Sequence, residues 1–143
     1  MLIKQISIFI ENKMGRMAEI TKIIGDADID IRALSMADTS DFGILRLIVN
    51  KPDLAVEKLK EAGLTVSLTD VIAVGIDDKP GMFAGVVSTM ADADINIEYM
   101  YAFITREHNR AYVILRVEAA EKALQILSDT GIYIVTASEI YDM

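Results

Sequence analysis

The stretches DADIDI, residues 26–31, and DADINI, residues 92–97, differ at one position and stand 66 residues apart. A single repeated hexapeptide proves little, so the flanks decide. At the same offset Lys13 meets Lys79, Gly15 meets Gly81 and Ala18 meets Ala84. Beyond Thr39 and Thr105 the match continues once two residues are inserted in the second copy, and Leu59 then meets Leu127 and Gly63 meets Gly131. One shift of register, between TSDFG and TREHNRA, is what a duplicated folding unit gives when one hairpin differs in length. A fixed internal period is the first thing to settle in a sequence, because missing it misassigns the fold. The chain is a tandem duplication.

Each copy reads as β-α-β-β-α-β. In the first, residues 2–10 alternate as a strand, and residues 15–27 place Met17, Ile20, Ile24 and Ala27 on one helical face. Strands follow at 29–38 and 42–50, a helix at 51–63 with Pro52 in its first turn and Gly63 as its stop, and a last strand from Leu64. The second copy repeats the order. Its strands are 71–77, 95–105, 111–118 and 132–141, and its helices are 81–93, with Phe83, Val86, Met90 and Ala93, and 119–130. This is the split βαβ, ferredoxin-like arrangement, an α+β fold with a four-stranded antiparallel sheet and both helices on one face. Two domains are expected, residues 1–69 and 70–143. With almost no linker between them, they are expected to pack as an intrachain pseudo-dimer. The apolar run in INIEYMYAFI (95–104) suggests that this edge strand is covered, with ALSMA (33–37) as its partner and Met36, Tyr99, Met100 and Tyr101 along the seam.

Composition narrows the function. Residues 1–70 carry 9 Lys/Arg against 11 Asp/Glu, net −2, and residues 71–143 carry 5 against 11, net −6, so the chain has a formal charge of −8. Nucleic-acid binding draws most of its affinity from neutralised phosphates, and anionic membranes attract basic segments. The charge argues against both partners. There is no cysteine, hence no thiolate nucleophile, no disulfide frame and no sulfur metal site. Neither a phosphate-cradling glycine loop nor an aromatic RNA-binding strand is present. No cofactor or metal is expected, and a cytoplasmic location fits.

The polar turns ENKMGRM (11–17) and DDKPGMF (77–83) join the first strand of each copy to its helix. Free N–H groups and the helix dipole make such a helix start suited to a carboxylate. Asp30 and Asn96, at the start of the second strands, offer oxygens to an ammonium group. Together the two features suit a free α-amino acid. The alternatives are an ordinary capped turn and a solvated strand edge, and Asp28 and Asp94 read as turn residues.

The run DDKPGMFAGVVSTMADADINIEYMYAF (77–103) resembles the ACT domain, a regulatory small-molecule-binding module of this fold. The resemblance spans both copies and is looser in the first, where Met14 stands in place of Pro80. It implies a regulatory or sensor protein that binds a free amino acid between its two domains, a homo-oligomer, and an enzyme of amino-acid metabolism as partner. Serine-binding ACT domains of phosphoglycerate dehydrogenase use an Asn in the turn and an Asn at the second strand. The matching positions here are Asn12 and Asp78, and Asp30 and Asn96, so each copy keeps one Asn and carries one Asp. A histidine of that family falls on Ile10 and Ile76. The ligand-binding set that the resemblance implies is Asn12, Met14, Gly15, Arg16, Met17, Asp30 and Ile31 in the first copy. In the second it is Asp78, Pro80, Gly81, Met82, Phe83, Asn96 and Ile97. A pure protein-interaction module is the second reading. Catalysis is not expected, since no nucleophile–base pair recurs in both copies and His108 lies in a hairpin insert.

Overall fold

A computed structural model describes residues 2–11, 13–38, 41–103 and 109–142. The elements are β1 (Ile3–Glu11), α1 (Arg16–Asp26), β2 (Ile31–Asp38), β3 (Phe42–Val49), α2 (Pro52–Glu61) and β4 (Thr65–Asp77) in the first half. In the second half they are α3 (Met82–Asp92), β5 (Ile97–Phe103), β6 (Arg110–Val117), α4 (Ala120–Asp129), β7 (Tyr133–Val135) and α5 (Ala137–Tyr141). Two compact units divide between Thr69 and Asp70. The first holds residues 4–69 with 140–143, and the second holds residues 70–139 with 1–3.

The first unit orders its strands β2-β3-β1-β4 and the second β7-β4-β6-β5, the same ferredoxin-like sheet twice. The pairings are antiparallel and their registers correspond. Glu11 faces Phe42 in the first, and Asp77 faces Arg110 in the second, at offsets of 66 and 68. Alternating strand residues and one stripe of each helix meet in a single core per unit. Ile6, Ile8, Ile20, Ile24, Leu45, Leu47, Val49, Ala55 and Leu59 are buried in the first. Ile72, Val74, Val86, Met90, Val113, Leu115, Val117, Ala123 and Leu127 occupy the same places in the second. The duplication was therefore preserved where apolar area leaves water, at about 25 cal/mol per Å². Among the described residues, no helix is long and apolar enough to cross a membrane.

One expectation changes. Residues 132–141 do not form one strand. β7 stops at Val135 and α5 follows, because Thr136 and Glu139 make a reciprocal cap. The Glu139 N–H donates to the Thr136 hydroxyl at 3.2 Å, and the Thr136 N–H and hydroxyl donate to the Glu139 carboxylate at 2.7 and 3.0 Å. This is the S/T-x-x-E box that opens a helix. Among the described residues β2 pairs with β3 and β5 with β6, each as the edge strand of its own unit.

Candidate functional site

The strand-to-helix turns repeat closely between the two copies. The N–H of Lys13 donates to the Glu11 carbonyl at 2.8 Å and that of Arg16 to the Lys13 carbonyl at 3.3 Å. The Lys79–Asp77 and Met82–Lys79 bonds repeat both lengths. Gly15 and Gly81 then enter the helices with φ +87° and no side-chain cap. A Cβ at either glycine would touch nothing within 4 Å, so the left-handed backbone, rather than crowding, explains the residue. The first-turn N–H groups of α1 and α3 thus lack a side-chain acceptor at the N-cap.

A cavity lies beside each turn. In the first unit it measures about 140 Å³ and is lined by Ile10, Met17, Met36 and Gly43, with Glu11, Lys13, Arg16 and Asp38 around them. In the second it measures about 310 Å³ and is lined by Ile76, Phe83, Ala102 and Ala111, with Met100, Tyr101 and Val113. Ile10 and Ile76, Met17 and Phe83, Met36 and Ala102, and Gly43 and Ala111 are repeat counterparts. The same architectural place is hollow twice, bounded by the end of the first strand, the first helical turn and the edge strand.

The two hollows differ in electrostatics. The first is rimmed by both signs of charge. Lys13 pairs with Glu11 at 2.6 Å and Arg16 with Glu19 at 3.0 Å. The hydrogen bond and charge of Lys13 hold the Glu11 carboxyl below its ordinary range. Among the described residues the second has no charged lining residue.

Some expected site residues gather there and others do not. Arg16, Met17 and Phe83 line the cavities. Gly15 and Gly81 set the turns, while Met14 is fully exposed and Pro80 is exposed in its turn. Asp78 is fixed by its backbone, whose N–H donates to the Asn109 carbonyl at 2.7 Å. Met82 lies on a different flank of α3, in a third cavity. Asp30 serves the fold. Its carboxylate takes an ion pair from Arg32 at 2.7 Å, and its backbone N–H and carbonyl both bond Asn50. Asn96 is exposed just ahead of β5, and Ile31 and Ile97 pack on the two cores. Asp28 and Asp94, read as turn residues, have φ of 56° and 57°. Asn12 and His108 lie outside the described residues. Sequence reasoning did not reach Asp38, Gly43, Ala102, Ala111 or Val113, because strand pairing brings them to the cavities and their counterparts are not alike.

The sequence profile of the ACT domain pair family matches residues 1–143. The chain belongs to the ACT domain pair family. The expected resemblance therefore holds over its whole length, and with it a regulatory fold. Among solved structures it is similar to protein BT0572 from Bacteroides thetaiotaomicron, at 37% identity and a TM-score of 0.94, covering 100% of this chain and 98% of that one. It shares its fold with the ligand-free regulatory subunit of aspartate kinase from Thermus thermophilus, at 21% identity and a TM-score of 0.65, over 90% and 91% of the chains. The Thermus flavus subunit gives 21% and 0.61, over 88% and 90%. No curated protein matches the sequence.

Proposed function

We propose that this ACT domain pair protein is a non-catalytic regulator that binds a free amino acid in the hollow beside each strand-to-helix turn. One observation carries the reading: the same place is hollow in both repeats, next to a helix start whose glycine N-cap supplies no side-chain acceptor. The carboxylate meets those N–H groups, and the side chain enters the cavity. Phe83, Met100 and Val113 suit the second cavity to an apolar or aromatic side chain, whereas the charged rim of the first suits a small polar one. All lining residues of each cavity come from one unit. Asp30, proposed as an ammonium acceptor, already carries an ion pair from Arg32 and keeps a largely exposed carboxylate. The kinship of fold with aspartate kinase regulatory subunits supports an enzyme of amino-acid metabolism as partner, in the cytoplasm.

The edges support a homo-oligomer. Leu34 and Met36 on β2 and Met100 on β5 are 55%, 41% and 48% exposed on the edge strands of their units. A second copy added there would cover the mouths of the hollows. The same residues favour the second reading, a protein-interaction module without a ligand.

Thermal unfolding against each of the twenty amino acids separates the two. A ligand at 100 times its Kd adds about 2.7 kcal/mol, which is several degrees in a chain of this size. One responder whose effect disappears in Phe83→Ala or Met17→Ala supports the sensor. Twenty flat curves from the folded protein support the interaction module.

A further inference from the structure

Another cavity in the second unit is not one of the repeat-related pair. It measures about 470 Å³ and opens on the other flank of α3, towards β7 and the end of α4. Met82, Gly85, Val86 and Thr89 line it from the helix at i, i+3, i+4 and i+7 spacing, which places them on one face.

Comparison of the repeats shows what made the room. Gly85 stands where the first copy has Glu19, and Thr89 where it has Ile23, which packs against the first core. Arg110 stands in place of Phe42, Tyr133 in place of Thr65 and Gly75 in place of Phe9. A glycine within a helix is less stable than alanine. No packing demands it at Gly85, where an added Cβ would meet nothing within 4 Å. Gly75 is different: a Cβ there would come within 2.8 Å of the Tyr133 ring, so the missing side chain lets the tyrosine lie across the strand. The Arg110 guanidinium sits over that ring, 4.8 Å from its centroid, in cation–π geometry. The Tyr133 hydroxyl is held by the Glu139 carboxylate, itself fixed by the cap on α5. The short β7 belongs to the same construction, because β4 runs on to Ile76 and Asp77 past the residue that faces Tyr133.

The lining thus carries one fixed guanidinium, one carboxylate and hydroxyls. Asp77 faces Arg110 across the β4–β6 ladder, and Thr89, Thr130 and Tyr133 supply the hydroxyls. A guanidinium matches a carboxylate in planar, two-pronged geometry, and a carboxylate accepts from an ammonium group. A lone anion would meet Asp77 and a lone cation Arg110, whereas a molecule carrying both charges satisfies both. We propose that this cavity is a third binding site, built only in the second repeat, for a small zwitterion, with Arg110 taking its carboxylate and Asp77 its ammonium group. It shares Ile76 with the second repeat-related hollow but opens on the other flank of α3, where Arg110 and Asp77 stand, and the proposal holds whether or not that hollow binds.

Selective labelling tests this with every site in view. The chain has eight glycines and eight methionines. Amide signals of ¹⁵N-glycine at Gly85 and Gly131, with the ¹³C-methyl of Met82, report the third cavity. Gly43, Met36 and Met100 report the other two. Each of the twenty amino acids is titrated to about 10 mM, enough to populate a millimolar site. The expected result is saturable movement of Gly85, Gly131 and Met82 with at least one of them. It should vanish in Gly85→Glu, which restores the first repeat's residue, and weaken by about tenfold or more in Arg110→Gln, which keeps the cavity's shape. If none of the twenty moves these signals, the proposal fails, whatever Gly43, Met36 and Met100 do. It fails equally if the shifts persist unchanged in both variants. Movement confined to Gly43, Met36 or Met100 would leave the sensor reading intact and remove only the third site.

Discussion

The same substitution made at two glycines four residues apart should move stability in opposite directions. Gly81 has φ +87° at the N-cap of α3, and Gly85 lies within that helix. Neither has an atom within 4 Å of a built Cβ, so space contributes nothing and backbone conformation is isolated. A left-handed conformation costs an L-residue roughly 1–2 kcal/mol, so Gly81→Ala should destabilise by about that amount. Alanine at Gly85 gains about 1 kcal/mol of helix propensity. The two variants should therefore differ by about 2–3 kcal/mol although each adds a single methyl group. At about 4 °C per kcal/mol, they should melt roughly 10 °C apart with the parent between them. Urea unfolding gives the same comparison through midpoints at constant slope. Equal midpoints would refute the reasoning and mean that Gly81 is kept for something other than its backbone. Gly15→Ala repeats the first measurement in the other unit and should give the same loss.

Other outcomes follow from the cores, the cap and the chain end. Leu127→Ala, at a fully buried position of the second core, should cost about 2–5 kcal/mol, and Leu59→Ala should match it in the first; calorimetry or urea titration reads both. Thr136→Ala removes the cap of α5 and should cost about 0.5–2 kcal/mol, with loss of amide protection across 137–141 in hydrogen exchange. The Glu139 carboxyl is held below its ordinary range, first by the Thr136 N–H and then by the Tyr133 hydroxyl. Its contribution is present above the unfolded value and lost as pH falls through the lower folded one, so Glu139→Gln should flatten the acid side of a stability–pH curve. Tyr133 is pushed up to about 12, first by the bond to Glu139. Its contribution is complete below its ordinary value of 10 and lost as pH rises to about 12. Tyr133→Phe should remove the slope in that window; an unchanged slope would place the alkaline titration elsewhere.

The fold was legible because duplication let each half check the other. Isolated strand and helix patterns are ambiguous, but Ile20 with Val86, Leu47 with Leu115 and Leu59 with Leu127 recur at fixed offsets, and only one topology places both sets inside. The turns were legible for the same reason, through Gly15 and Gly81. The hollows were only half legible. Met36 and Gly43 reach the first by strand pairing, and their counterparts Ala102 and Ala111 differ in size, so the repeat gives no flag. The ion pair that Arg32, two residues on, makes with the Asp30 carboxylate was not legible from the repeat, because Arg32 has no basic counterpart in the second copy. The last strand was overextended because YIV alternates convincingly. The box at Thr136 and Glu139 competes for the residues after it, and a helix of one turn wins locally without any helical period to announce it.

The ends of the chain bear on how such a protein can be inherited. Leu2 packs against the core that residues 72–134 build. At the other end, Ile140 is fully buried, the Tyr141 hydroxyl accepts from the Lys4 N–H at 3.1 Å and its carbonyl accepts from Arg32 at 3.0 Å. Each unit therefore depends on a few residues that lie in sequence beside the other repeat. A recombination event that carried off one copy, as freely shuffled modules are carried, would deliver a domain with a missing corner.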